Sequence, residues 1–498
     1  MNSVPERPPA QRLYDELRLL REQVHREGEV TFSRWRPYIY RRSFLLSARN
    51  LAFYLALRQR DLRELQRQLS LWGLSSLGRS ESRVLSNLDA VIATLGKLCA
   101  LDDAPPHPRP RRLLRGERLL RRHTNAVFGP PQPRHSVRIM VTLPSEAADD
   151  PAFIRDLAAR GTDCVRINTS HDSPAAWEKM IAHVRSAEAE VGRPIRVLMD
   201  LGGPKPRTAD VLAPKKARLK TGDVLLLTRD KPDATVEIAF QARCVLPEVL
   251  DQLALNDRVF LDDGQVGMRV EALLPGGAVL RVIHASEKGY KLKDEKGLNF
   301  PDTELDLAPL QPADLAALDF VAQHADMVGY SFVQSGEDIA MLQRELASRM
   351  PDLRKIALIA KIETPRAVRA LPEIIVRAAG LQPFGVMIAR GDLAVEMGFG
   401  RTAEMQEEIL WLCEAANVPV IWATQVMESF VRTGTPSRGE MTDAAMSARA
   451  ECVMLNKGPF VVEAVSMLDA LLERMQQHQT KKSPQMRALA SWRDVLDT

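Results

Sequence analysis

From Val137 onward the chain carries eight short apolar runs with amphipathic, helix-length stretches between most of them. The runs are VRIMVTL (137–143), CVRIN (164–168), VLMD (197–200), MVGYSF (327–332), IALIAKIE (356–363), VMIAR (386–390), VPVIWAT (418–424) and CVMLN (452–456). A short, β-branched apolar run bounded by polar residues reads as a parallel strand buried on both faces. Eight strands alternating with helices predict the α/β class and a closed (β/α)₈ barrel.

Three of the runs end in charged or hydroxyl-bearing blocks: KIETP from Lys361, ARGDLAVEMG from Ala389 and ATQVMES from Ala423. The carboxyl end of a barrel strand is where such folds place their chemistry. Lys361 with the carboxylates Glu363 and Asp392 on neighbouring strand ends would suit a divalent metal and an anionic substrate.

The third and fourth runs lie about 125 residues apart, far beyond an ordinary connection. Within that interval ARLKTGDVLLLTRD, DRVFLDDGQVGMRVEAL and GAVLRVIHA alternate with the turn signals KTGD, DDG and PGG. They predict a small all-β lid over the barrel mouth. Upstream, LYDELRLLREQV, LAFYLALRQRDLRELQRQLSLWGL and SRVLSNLDAVIATLGKLCAL have helical spacing. The Pro- and Arg-rich DDAPPHPRPRRLLRGERLLRRH reads as a solvated linker. The expected organisation is a helical region at 1–101, a linker at 102–136, a barrel at 137–208 and 300–475, a lid at 209–299 and a tail at 476–498. A barrel freed of residues 1–125 is expected to stay soluble.

The overall charge of +4 conceals an asymmetry: residues 1–135 carry 25 Lys and Arg against 13 Asp and Glu. That excess lacks interleaved aromatics, a zinc pattern or a helix-turn-helix, so nucleic acid is not the expected partner. A helical domain that packs on the barrel or mediates homo-oligomerisation is expected instead. Five scattered cysteines without metal spacing suggest reduced thiols and a cytoplasmic protein. No run is long enough to span a bilayer, and the amino terminus lacks the apolar core of a secretory signal.

Read together, VRINTSHD, MDLGGPKPRT, FLDDG, KGLNFPDTELDLAPL, SFV, KIET, ARGDLAVE, ATQVMES, TPSRGEMTDAA and CVML resemble the pyruvate kinase family. The resemblance runs from about Val137 to Ala464. It implies a glycolytic phosphoryl transfer from phosphoenolpyruvate to a nucleoside diphosphate, with Mg²⁺ or Mn²⁺, on a barrel interrupted by a β lid. By the same resemblance Lys361 bridges the transferring group, Arg166 and Arg207 neutralise its oxygens, and Glu363 and Asp392 hold the metal. Thr424 delivers a proton near the enolate carbon. Phe332, Asn168, Gly391 and Asp263 bind substrate or nucleotide, Phe332 as a wall and Asp263 as the acid of the lid.

The departures from the family pattern are equally specific. Asn168, Ser170 and Asp200 match its monovalent-cation site, but Leu201 replaces a threonine and Lys205 replaces a glutamate. An ammonium in place of bound K⁺ would make the enzyme potassium-independent. NKGPF (456–460) stands where the family has SGETA, near the expected nucleotide, and the family's carboxyl-terminal effector domain is not matched. Two other readings follow from these changes: a metal-dependent enzyme on another enolpyruvyl or 2-oxo-acid substrate, or a non-catalytic binding protein that uses the basic helices. KKSPQMRALASW (481–492) reads as a tail or docking segment.

Overall fold

The computed structural model describes residues 9–75 and 77–484. Eight parallel strands close into a barrel: β1 (Arg138–Thr142), β2 (Cys164–Asn168), β3 (Arg196–Asp200), β4 (Met327–Tyr330), β5 (Ala357–Ile362), β6 (Phe384–Ala389), β7 (Val420–Ala423) and β8 (Cys452–Leu455). Closure comes from β1, which pairs with β8 through Ile139 and Val453 and with β2 through Val141 and Val165. The strands are buried almost throughout, which is why they read as continuous apolar runs and not as alternating ones. Barrel helices begin on side-chain caps, such as Thr364 accepting from the Ala367 N–H and Ser437 accepting from the Glu440 N–H.

The long interval between β3 and β4 forms a separate seven-stranded sheet, from Thr208–Leu212 to Leu298–Asn299. Its core is its own, built on residues such as Leu225, Leu280, Val259 and Met268.

The amino-terminal region is helical: α1 (Pro9–Trp35), α2 (Leu45–Arg58), α3 (Arg63–Leu71) and α4 (Val84–Leu98). The run expected as one helix from Leu51 breaks between α2 and α3. There Asp61 Oδ1 accepts from the Arg63 N–H at 3.1 Å, and Arg60 turns back onto the Ala56 carbonyl at 2.7 Å. These helices are part of the barrel's packing. Ser47 Oγ donates to Asn417 Oδ1 at 2.8 Å, Asn50 Nδ2 to the Ala415 carbonyl at 2.8 Å, and the Tyr40 and Arg41 N–H groups to the Gly380 carbonyl at 2.9 and 2.8 Å. One continuous apolar core runs from Leu17 and Leu88 to Val420 and Leu455.

The solvated-linker expectation for 102–136 is overturned. The segment contains α5 (Pro110–Leu113) and α6 (Arg115–Phe128). On α6, Leu120, His123, Thr124, Val127 and Phe128 are buried at helical spacing, while Arg118 and Arg121 face solvent. Val127 and Phe128 enter the barrel interior beside Cys164, Met327, Ala357 and Cys452, the first residues of their strands. Helix α6 therefore plugs the amino-terminal end of the barrel. At the carboxyl terminus a short hairpin (Gln479–Thr480, Ser483–Pro484) sets Lys481 on Glu451 and Lys482 on Glu81. Residues 485–498, with most of the expected docking segment, lie outside the described residues.

Candidate active site

At the carboxyl end of the barrel a pocket of about 220 Å³ is lined by every residue singled out in the sequence. Arg166, Asn168, Ser170, Asp200, Lys361, Glu363, Gly391, Asp392 and Thr424 come from strand ends and the turns that follow them. Lys205, Arg207 and Asp263 come from the lid and its entry, and Phe332 follows β4.

Lys361 is the penultimate residue of β5. Its Nζ donates to Ser331 Oγ at 2.7 Å and lies 3.3 Å from Asp200 Oδ2 and 3.2 Å from Glu363 Oε1. Asp200, the last residue of β3, also accepts from Arg166 Nε at 2.8 Å. A Cβ on Gly329, one strand away, would lie 2.3 Å from Asp200 Oδ1, so only glycine leaves room for this carboxylate. Burial works to raise the Asp200 carboxyl, but Lys361 and Arg166 outweigh it and hold the group below the usual carboxylate range. Burial likewise works to lower the Lys361 ammonium, but Asp200 and Glu363 outweigh it and push it up. Lys361 is thus a fixed, half-buried cation.

Glu363 Oε2 accepts from the Phe332 N–H at 2.5 Å. Its carboxyl is pushed up, first by burial and then by the charge of Asp392, against the opposing charge of Lys361. Phe332 and Thr424 both adopt left-handed backbone conformations, with φ of 54° and 66°. Such conformations are costly for side chains with a Cβ and concentrate at functional turns. Thr424 Oγ1 accepts from the Gly391 N–H at 3.0 Å, which ties the end of β7 to the turn after β6. Arg390 braces the same turn by donating to the Ala423 carbonyl at 2.9 Å and pairing with Asp443.

Lys205 shares the pocket with Asn168, Ser170 and Asp200. Its ammonium sits on Asp392, at 2.6 Å, and 5.7 Å from the centre of the Phe332 ring. Asp200, in the same pocket, is paired with Arg166 and Lys361. Asn168 Oδ1 accepts from the Ser170 N–H at 3.1 Å, and Leu201 is buried. Burial works to raise Asp392, but the charges of Lys205 and Lys361 hold it down. Lys205 reaches this carboxylate because the entry to the lid brings it across the mouth.

The donor set fits a hard divalent cation. Glu363 and Asp392 offer carboxylate oxygens. Asn299, whose amide lies on Asp392, has its Oδ1 buried without a hydrogen-bond partner among the described residues. No group of three or more His, Cys, Asp or Glu side chains is assembled for a metal among the described residues. Two carboxylates still suffice for an ion that completes its shell with substrate and water oxygens.

Sequence reasoning passed over three participants. Ser331 Oγ bridges Lys361 and the Leu201 carbonyl, donating to the latter at 2.6 Å. Asn299 Nδ2 donates to Asp392 at 3.3 Å and to Glu396 at 3.0 Å, joining the lid's exit to the barrel. Asn456 at the end of β8 lines the pocket and donates to Glu428 at 3.0 Å. Ser331, Asn299 and Asn456 lie in the quoted SFV, KGLNF and NKGPF blocks, but nothing in those blocks separates a bridging side chain from its neighbours. Beside the pocket, Lys457, Arg432, His171 and Arg166 line a second cavity of about 310 Å³.

Residues 134–465 match the model of the pyruvate kinase barrel domain. A pyruvate kinase of Methylorubrum extorquens is 33% identical over 346 residues, 68% of each chain. One from Thermococcus litoralis is 31% identical over 373 residues, 73% of this chain and 74% of its own. Human pyruvate kinase PKLR is 31% identical over 356 residues, 68% of this chain and 60% of its own. With a family match over two-thirds of its length, laid on a closed eight-stranded barrel, this chain belongs to the pyruvate kinase family and is a phosphotransferase.

Proposed function

We propose that the chain moves the phosphoryl group of phosphoenolpyruvate to a nucleoside diphosphate, ADP foremost, releasing pyruvate and the triphosphate. The observation that carries this reading is the pair of cations, Lys361 and Arg166, fixed on buried Asp200 at the barrel mouth. A transferring phosphoryl group spreads charge over three oxygens, so its transfer depends on positioning and on fixed positive charge. Asp200 keeps both cations in place, and Arg207 adds a third beside the lid. Thr424, with its hydroxyl oxygen held by the Gly391 N–H, is assigned to proton delivery at the enolate carbon. Phe332 walls the substrate, and Asp263 reaches the same pocket from a turn in which Asp262, Asp263 and Gly264 all have positive φ. A closed lid excludes water, which would otherwise take the phosphoryl group. The neighbouring cavity with Lys457 and Arg432 is proposed for the nucleotide phosphates.

Glu363 and Asp392 are the residues assigned to Mg²⁺ or Mn²⁺. When bound, the ion supplies positive charge that polarises substrate oxygens. Lys205, on Asp392, brings an ammonium into the pocket that Asn168, Ser170 and Asp200 also line, and Leu201 leaves the monovalent-cation ligands incomplete. A further K⁺ in so poorly solvated a site would be repelled, so turnover is proposed to be independent of K⁺.

The test is a lactate dehydrogenase-coupled assay with phosphoenolpyruvate and ADP, GDP, CDP or UDP, in K⁺-free buffer and in KCl at matched ionic strength. Turnover with ADP and no activation by K⁺ are expected. Lys361→Met should lower kcat by about 10³-fold or more, in the range of a lost transition-state contact, with an unchanged circular dichroism spectrum. No turnover with any diphosphate would move the reaction to another enolpyruvyl or 2-oxo-acid substrate. Strong K⁺ activation would overturn the role given to Lys205.

A further inference from the structure

A cavity of about 260 Å³ lies on the far side of the molecule, between α1, α2, the start of α4, the start of α6 and Asn417 of the barrel. It owes its shape to a close approach. A Cβ on Gly116 would lie 2.0 Å from the Ser82 carbonyl oxygen, so glycine lets α6 press against the turn before α4. That contact gathers Arg21, Arg49, Arg83, Arg112 and Arg115 around one concavity, and no Asp or Glu is among its lining residues.

The charges do not cancel. Arg21 pairs with Asp89 at 2.9 Å, Arg49 with Glu29 at 2.5 Å and Arg83 with Glu117 at 3.2 Å. Arg112 and Arg115 have no side-chain partner among the described residues. Two unmatched guanidinium groups at the rim equal the charge of one phosphate dianion, and their planar forks suit its oxygens. The floor is apolar: buried Phe53 stacks on His25 with ring centres 5.7 Å apart. A phosphate at the rim and a short carbon skeleton over Phe53 would use both surfaces. The volume lies just below the usual range of ligand pockets, which limits the occupant to a small molecule.

We infer that this cavity is a second, non-catalytic site for a small phosphomonoester. Its position ties it to the catalytic barrel. Asn50, which lines it, spends its side chain on the Glu81 and Ala415 carbonyls and on the Val84 N–H, at 2.7, 2.8 and 3.0 Å. Asn417, also in its wall, leads into β7, whose end carries Thr424. A ligand that draws α2, α4 and α6 together acts on the segment that positions that strand.

Isothermal titration calorimetry on the full chain tests the site. The probes are glycerol 3-phosphate and glucose 6-phosphate, with glycerol, glucose and inorganic phosphate as controls. Phosphatidylserine-containing vesicles and an RNA oligonucleotide form separate arms. At least one phosphomonoester is expected to bind more tightly than its dephosphorylated form and than inorganic phosphate. Arg112→Gln/Arg115→Gln should weaken that binding about tenfold or more, whereas Lys97→Gln/Arg67→Gln, an equal charge change on exposed helix positions away from the cavity, should not. Ser86→Glu, which puts a carboxylate into the wall, should weaken it as well and guards against a double variant that misfolds. Equal binding by all variants would place the ligand elsewhere and overturn the inference. So would no binding of either phosphomonoester, or binding only of vesicles or RNA.

Discussion

At the scale of single residues, the mouth of this barrel is a set of buried and half-buried charges that hold one another in place. Asp200 answers Arg166 and Lys361, and Asp392 answers Lys205. Removing one member leaves its partner unpaired in a poorly solvated place, which is more costly than losing a surface pair. Glu363→Gln and Asp392→Asn should each weaken Mn²⁺ binding about tenfold or more, read by water-proton relaxation without substrate turnover, because a neutral amide loses the charge that holds a hard cation. Unchanged titration curves in both variants would put the metal elsewhere. Gly329→Ala should displace the Asp200 carboxylate and with it the anchor of Lys361. A fall in kcat of about tenfold or more is expected, with a stability loss of about 1–3 kcal/mol from overpacking. An alanine variant with native kcat would show that Asp200 does not need that space.

At the scale of elements, the helix Phe399–Ala415 couples the amino-terminal helices to the barrel, and its last turn carries a strained charge. Glu414 is pushed up to about 7, first by burial, with the negative charges of Glu81 and Glu451 adding and Lys481 opposing. A carboxylate at a helix carboxyl terminus is also unfavourable to the helix dipole. With a folded pKa above the unfolded one, the folded state keeps its proton longer. Stability from this group is therefore full below about 4.5 and is lost as pH rises toward 7. Glu414→Gln should stabilise the protein at pH 8 by about 1–3 kcal/mol and much less at pH 5, read as the difference in Tm from wild type. A larger gain at pH 5 than at pH 8 would contradict the sign.

At the scale of the whole molecule, the helical region is a cover over the barrel. Its apolar core is continuous with that of the barrel, and α6 closes the barrel's amino-terminal end with Phe128. Deleting residues 1–125 strips the partners of Asn417, Ala415 and Gly380 and removes most of α6. The expected product is insoluble, or soluble with a Tm lowered by more than about 10 °C, a shift that corresponds to several kcal/mol. A shortened chain that melts as the full one does would restore the boundary that the prolines and arginines suggest. No described helix is long and apolar enough to cross a membrane.

The sequence by itself determined the barrel, the inserted sheet and the residues of the mouth. A strand buried on both faces must be apolar along its length, and a charge at its end has few places to go except the carboxyl-terminal rim. That is why Lys361, Glu363, Asp392 and Thr424 were legible. The composition of 102–136 concealed α6, because prolines and arginines mark solvent exposure while Leu120, His123, Thr124, Val127 and Phe128 needed only one face to be buried. Pairings between distant segments were decided by the tertiary structure alone. The ammonium of Lys205 could answer Asp200 or Asp392, and the path of the chain into the lid gave it Asp392. Asn299, Ser331 and the arginines around Phe53 are likewise ordinary polar residues in sequence. Closure of the sheet and close packing at Gly329 and Gly116 gave them their neighbours, and electrostatic meaning comes from neighbours.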